Sequence, residues 1–238
     1  RYGNGPVYEV FGKRYRVMDS GTGYQERGVA SWYGKKFHGN LTSNRETYDM
    51  YAMTAAHKTL PLPTYVQVRN LRNNKSIIVR VNDRGPFVHN RIIDLSYAAA
   101  LKLDIVRDGT GLVEVTAITF DDPPGDRPTR RVVGGGLPAT ESSVGGSLPA
   151  TESSVGGGLP ATDVYVQVGA FGDRSNAERR LGVLSQAGIR NAFIHEEREP
   201  GRTLYRVRIG PIADVVQYDV LVEELENIDI NDPYLITE

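Results

Sequence analysis

Residues 76–103 read SIIVRVNDRGPFVHNRIIDLSYAAALKL. SIIVRVND (76–83) and RIIDLS (91–96) are alternating runs rich in β-branched residues, so both read as strands on either side of a Gly-Pro turn. Ser96 then stands as a helix N-cap ahead of YAAALKL, with Leu101 on the face of Tyr97. Working outward, GVASWYG (28–34), TYVQVRNL (64–71) and GLVEVTAITF (111–120) have the same strand character. Asn73-Asn74 separates two of these runs and suits a tight hairpin turn, because Asn tolerates positive φ. Short strands with one short helix predict a closed, mainly β barrel within residues 1–121. Tyr8–Val10 and Arg14–Val17 alternate around Gly12 and predict a small hairpin outside the main body.

The last third of the chain, 163–238, alternates differently. A strand VYVQVGAF (164–171) leads into a helix over Asn176–Gly188 with Ala177, Leu181 and Leu184 on one face. AFIHEE (192–197), TLYRVRIGP (203–211), a second helix near 214–226 and a closing DPYLIT complete a βαββαβ order. That order makes an α+β sheet with both helices on one face and the other face open for binding. Between the two bodies, GGGLPATESSV (134–144), GGSLPATESSV (145–155) and GGGLPATD (156–163) repeat. Gly doublets and a Pro in each unit forbid a continuous helix, so residues 122–162 read as a flexible linker.

The chain has 238 residues, 39% of them hydrophobic and 24% charged, enough for one large domain or two modest ones. It has no cysteine, which excludes disulfides, thiolate metal sites and cysteine nucleophiles. No run of about 18 apolar residues is present to span a membrane, and the first residues lack a secretory pattern, so any signal is expected to have been removed. The net charge of -1 is unevenly spread: residues 1–121 carry 17 Lys+Arg against 11 Asp+Glu, and residues 162–238 carry 8 against 14. Neither half is a nucleic-acid footprint. No HExxH, GxSxG, Walker-loop or EF-hand pattern occurs, which leaves zincin, serine-hydrolase and nucleotide chemistry unsupported.

Chemistry concentrates in the first half. Trp32 lies beside Tyr33 and Phe37, where aromatic rings could stack on sugars; the plainer reading is that Trp32 fills the barrel core. Lys35, Lys36 and His38 would form a basic lip. Four titratable residues stand out: Glu46 in the turn-rich TSNRETYD, His57 in MTAAHKTLP, Asp83 at a strand end in VNDRGPF, and Asp94 within RIIDLS. A carboxyl group held against an aromatic such as Phe87 can have its pKa raised enough to donate a proton near neutrality. Against this, Asp83 could simply cap a turn, Asp94 could be a buried residue bonded to backbone, and His57 a satisfied core histidine.

GVASWYGKKFHG, TSNRETYD, MTAAHKTLPLPTYVQV, VNDRGPF and RIIDLSYAAA, in this order, resemble the rare lipoprotein A (RlpA) family, while VYVQVGAF with YRVRIGP resembles the SPOR domain. The resemblance implies a double-psi β-barrel, a linker and a SPOR domain. It also implies a monomeric bacterial envelope protein, an outer-membrane lipoprotein of the periplasm enriched at the division septum. Its lipidated cysteine would lie upstream of Arg1. The implied activity is that of a lytic transglycosylase, endolytic or exolytic. Such enzymes cut the β-1,4 bond from N-acetylmuramic acid to N-acetylglucosamine in glycan strands lacking stem peptides, leaving 1,6-anhydro ends. The sugar's own 6-hydroxyl is the nucleophile, so one acid that becomes a base can suffice, without metal or cofactor. The alternative is a non-catalytic, expansin-like wall-binding protein.

Carried over, the resemblance implies Asp83 or Asp94 as proton donor, Glu46 as a second carboxylate and His57 as a hydrogen-bonding partner of one of them. Trp32, Tyr33 and Phe87 would bind sugar. Two positions depart from the pattern. Arg45 stands where Gly is usual, which adds strain if positive φ is needed and places a cation beside Glu46. Asn74 stands where Gly is usual in the hairpin. On the SPOR sheet, alternation assigns Gln167, Phe171, Leu204, Arg206 and Arg208 to the glycan face. The aromatic signature of an RNA-binding sheet is absent, and nucleic acid is not expected.

Overall fold

The computed structural model describes residues 2–119, 162–231 and 233–238. The expected linker over 122–162 lies outside the described residues except for its last position. Strands β1 (Val7–Val10) and β2 (Lys13–Arg16) form the expected hairpin, turned by Phe11 and Gly12 at positive φ.

Six strands close the barrel: β3 (Gln25–Trp32), β4 (Thr54–His57), β5 (Thr64–Asn70), β6 (Ser76–Asp83), β7 (Arg91–Leu95) and β8 (Thr110–Ile118). Their order around it is β3-β7-β4-β6-β5-β8, with β3/β7 and β4/β6 parallel and the other pairs antiparallel. This is a double-psi β-barrel. Closure leaves no strand edge exposed. Val66, Val68, Val79, Val81, Ile93, Leu95, Val113 and Val115 point inward and are fully buried. Each contributes roughly 1.5–3 kcal/mol by leaving water. Helix α1 (Tyr97–Leu103) starts at Ser96, whose Oγ accepts the Ala99 N–H, and it buries Ala99, Ala100 and Leu103 while Leu101 stays in solvent.

One barrel strand was not expected. TAAH (54–57), just before the Pro-bounded strand, carries no strand alternation, yet it forms β4, buried at all four positions between β6 and β7. A strand covered on both faces shows no alternation, and small Ala side chains carry little β signal.

In the second domain, β9 (Val164–Phe171), α2 (Arg174–Gln186), β10 (Ala192–Glu199), β11 (Arg202–Ile209), α3 (Val215–Glu226) and β12 (Tyr234–Thr237) give the predicted βαββαβ order. The sheet runs β10-β11-β9-β12. Asp173 and Asp214 cap the two helices, accepting from the N–H groups of Ser175 and Gln217. The helices bury Ala177, Leu184, Leu221 and Leu225 against Val164, Val166, Val207 and Ile209 of one sheet face. On the outward side of α3, Asp219 accepts hydrogen bonds from Arg91 and Asn90 of the barrel.

Two β-bulges set which side chains share a face. In the parallel β4/β6 pair, Ala55 partners Val81 but Ala56 partners Asp83, so Asn82 is the extra residue. In β9/β11, Gly169 partners Val207 but Gln167 partners Arg208, so Val168 is extra. An extra residue shifts every later side chain to the opposite face.

Candidate active site

Asp94 sits on β7, Ala56 on the adjacent β4 and Asp83 on the next strand, β6. Ala56 partners Asp94 on one side and Asp83 on the other, while Ser31 of β3 partners Asp94. Directly opposed residues share a sheet face, so Ser31, Asp94, Ala56 and Asp83 lie in one row across four neighbouring strands. Without the Asn82 bulge, alternation from inward Val81 would place Asp83 inward only as the next odd residue of an unbroken ladder, with no partner in the row. Ala56 keeps the middle of the row low. The two aspartates straddle it at two strand spacings, about 9.5 Å between backbones. Gly85, at φ 131, lets the chain turn over this row: a Cβ there would stand 3.9 Å from both the Ala56 Cβ and Asp94 Oδ2.

The two aspartates have different surroundings. Asp83 Oδ1 accepts from the Ser43 N–H at 2.8 Å, the Ser43 hydroxyl at 2.5 Å and the Arg84 N–H at 2.8 Å. Three donors on one oxygen hold that carboxylate in a fixed orientation. Among the described residues, Asp94 Oδ1 accepts only the Ser31 hydroxyl, at 2.5 Å. Burial pushes the Asp94 carboxyl above the usual carboxylate range, opposed by the Ser31 bond and the Lys58 and Arg91 charges and reinforced by Asp83. Both aspartates keep partial access to solvent.

Glu46 lies outside this row. Its carboxylate takes a bidentate ion pair from Arg80, at 2.6 and 2.5 Å, and further bonds from Asn82 and Asn44. The Arg80 hydrogen bond is the largest cause that holds its pKa at about 2. The cation expected at Arg45 does not do this: its guanidinium stacks on the Tyr2 ring, 3.7 Å from the centroid. Arg45 does take positive φ, 67°, as expected where the pattern has Gly, and Asn74 does the same at 56°.

His57 is a correction. It bonds to neither Asp83, Asp94 nor Glu46. Its Nδ1 accepts the N–H groups of Thr59 and Leu60, so Nε2 carries the proton and donates to the Tyr24 hydroxyl at 2.8 Å. Tyr24 in turn donates to Glu26. The imidazole is 3% exposed, and burial lowers its pKa to about 3. It follows Ala56 on β4, so alternation turns it away from the aspartate row.

The predicted aromatics divide. Trp32 is half-buried, packed against the barrel cluster rather than filling it, with its ring against Tyr97. Tyr33 packs between Phe37 and Tyr48; its hydroxyl is buried without a hydrogen-bond partner among the described residues, within the electrostatic reach of both Asp83 and Asp94. Phe87 meets Tyr8 and Tyr15 of the N-terminal hairpin. Lys35, Lys36 and His38 are exposed, as a lip requires.

In the second domain the Val168 bulge reverses one assignment. Phe171 partners Tyr205, and both pack on the helix side. Gln167, Leu204, Arg206 and Arg208 do share the helix-free face, joined by Tyr165, Phe193, His195 and Tyr234, which the sequence reading missed. Tyr165 and Phe193 meet edge to face there. Gln167 and Arg208 are themselves buried: Gln167 bonds the Tyr234 hydroxyl, and Arg208 pairs with Glu238.

Ser31, Ser43, Arg80 and Asn82 were also missed. Ser31 interrupts an apolar strand as Asp94 does, a weak signal; the other three depend on contacts between distant segments.

A family model described as lytic transglycolase, a double-psi barrel, matches residues 25–115, and the SPOR domain model matches 160–237. The endolytic peptidoglycan transglycosylase RlpA of Pseudomonas aeruginosa is 39% identical over 96% of this chain and 75% of its own length. The chain belongs to the RlpA family. The RlpA of Vibrio cholerae is 59% identical over 53% of this chain, which spans only 48% of that relative. The solved SPOR domain of P. aeruginosa RlpA is 29% identical, covering 31% of this chain and 96% of that one, with a TM-score of 0.29. RlpA proteins are peptidoglycan lytic transglycosylases, and with its SPOR domain this one is a periplasmic protein of the cell wall or division septum.

Proposed function

We propose that this RlpA protein cleaves peptidoglycan glycan strands endolytically, with Asp94 as the proton-transfer group. The observation that carries this reading is the aspartate row, whose two members differ in kind. Asp94, half-buried and with a raised pKa, keeps a proton to give; Asp83, held by three donors, is a fixed acceptor.

Asp94 protonates the glycosidic oxygen, and the bond from that oxygen to C1 of the N-acetylmuramyl ring breaks. The developing positive charge on the ring is stabilised by the Asp83 carboxylate. The ring's 6-hydroxyl oxygen then bonds to C1 and gives its proton to the Asp94 carboxylate. The products are a 1,6-anhydro end and a free 4-hydroxyl, and no water is consumed. Asp94 ends as it began, protonated, so a single acid–base group completes the cycle. That differs from the hydrolytic pattern, where the second carboxyl must attack or activate water.

Glu46 is too acidic to donate a proton; it ties the 40–48 loop to Arg80 and thereby sets Ser43 under Asp83. His57 is a positioning residue for β4 and the 57–60 turn. The helix-free SPOR face takes glycan strands that lack stem peptides, and the chain is a monomer held at the outer membrane by a lipid anchor upstream of Arg1. Incubation with amidase-treated sacculi should release 1,6-anhydromuramyl products detectable by mass spectrometry. Their absence, with glycan still bound, would favour the expansin-like reading instead.

A further inference from the structure

The N-terminal hairpin lies before the 25–115 stretch that the family model covers, and nothing in the reaction above uses it. Yet it is bolted to the site. Arg84, whose N–H helps hold Asp83, donates its guanidinium to the Gly3 carbonyl and Asn4 Oδ1, as well as to the carbonyls of His57 and Leu60. Asn4 bonds both the N–H and the carbonyl of Leu62, and the Tyr8 hydroxyl donates to the Lys58 carbonyl. Between hairpin and barrel lies a cavity of about 390 Å³ whose walls include Gly5, Tyr8, Val10, Ser43, Arg84 and Phe87. Its size is that of a small-ligand site, roughly 300–1,000 Å³.

The chemistry of the cavity is specific. Tyr8 and Tyr15 stack across the hairpin with centroids 5.3 Å apart, and Phe87 closes on them edge-on. Of the three, Tyr8 and Phe87 line the cavity and give it an aromatic wall, with Tyr15 behind Tyr8. Ser43 and Arg84, which also line the cavity, are the two residues whose donors hold Asp83, so the cavity adjoins the aspartate row. Aromatic wall plus polar rim is what a pyranose needs: axial C–H groups against the rings and hydroxyls toward the rim.

We infer that Tyr8, Val10 and Phe87, which line this cavity, form a saccharide subsite that seats a pyranose of the glycan strand next to the one being cleaved, on the Asp83 side. This inference rests on the functional reading above. A subsite whose contacts are alike in the ground and transition states supplies uniform binding, so its loss should appear in KM rather than kcat.

Soluble peptide-free glycan strands and the full chain provide the test. Phe87→Ala removes one wall. Gly5→Trp fills the cavity, at a glycine whose added Cβ meets only the Val7 carbonyl at 3.6 Å, an ordinary contact, and a thermal melt checks that the variant is folded. Phe11→Ala, at the 93% exposed hairpin tip, is the control. The first two should each raise KM about tenfold with kcat within about threefold, while Phe11→Ala matches the parent. If the parent forms 1,6-anhydro ends and both cavity variants keep its KM, the subsite is overturned and the functional reading stands. A parent that forms none overturns that reading and the subsite with it.

Discussion

The Asn82 bulge in the barrel and the Val168 bulge in the SPOR sheet are the same device with opposite results. At Asn82 an extra residue brings Asp83 onto the face of Asp94 and completes the row. At Val168 it takes Phe171 off the helix-free face, proposed to bind glycan, and puts it on the helix side. Alternation carries side-chain direction faithfully along a strand until one residue too many is inserted. The insertion is visible only in the partner strand's register. In both domains the functional face is therefore decided by pairing, not by the strand's own pattern.

The comparison can be broken first in the barrel. Asp94→Asn keeps the shape of the row but removes the transferable proton, so product formation should fall by at least about 10²–10⁴-fold. Because Asp94 has a raised folded pKa, its contribution to stability is fully present below about pH 3.8 and is lost as pH rises through the folded value. The same variant should thus melt higher than the parent at pH 7, an advantage that vanishes in acid. Equal melting temperatures at pH 7 would contradict the burial argument.

The SPOR bulge gives a sharper contrast between two phenylalanines. Phe193→Ala, on the helix-free face, should weaken binding to peptide-free glycan about tenfold with little change in melting temperature. Phe171→Ala should do the reverse, costing roughly 1–3 kcal/mol of stability for a partly buried ring while affinity holds. Glycan titrations beside thermal melts would show which phenylalanine belongs to which face.

His57 tests the strand between the two aspartates. Its folded pKa is depressed to about 3 from 6.5, so its stabilisation is present above pH 6.5 and lost as pH falls toward 3. Denaturant titrations from pH 7 to pH 4 should show falling stability in the parent and a flatter dependence in His57→Gln, which cannot charge. The alkaline limb of the rate profile should stay where it was in that variant, because the imidazole positions β4 and transfers no proton. The smallest effect is expected at Arg45. Arg45→Gly relieves a non-glycine residue at φ 67° and should gain about 0.5–1 kcal/mol, less what the Tyr2 stacking contributes. Calorimetry would measure the balance.

Much of the fold was legible because local rules were strong. Ser96 announced α1, the β-branched runs announced β5, β6 and β8, and Asn74 announced its own positive φ. β4 was not, since Ala55 and Ala56 are buried without contrast between faces. Of the site, the residue types Asp83, Asp94, Glu46 and His57 were legible, but their roles were not. Arg80 reaches Glu46 across 34 positions and Tyr24 reaches His57 across 33, and no periodicity within one segment encodes such a contact. Those partners are what separate a proton donor from a locked carboxylate and a buried, neutral imidazole.

Carbon-13 NMR titration of the side-chain carboxyls would read the protonation of each acid individually. Asp94 should hold its proton to a pH above 3.8, while Glu46 releases its own near pH 2. If Asp94 instead titrates at or below the value of a free aspartate, it has no proton to hand to the glycan, and the assignment of acid and base to this groove is wrong.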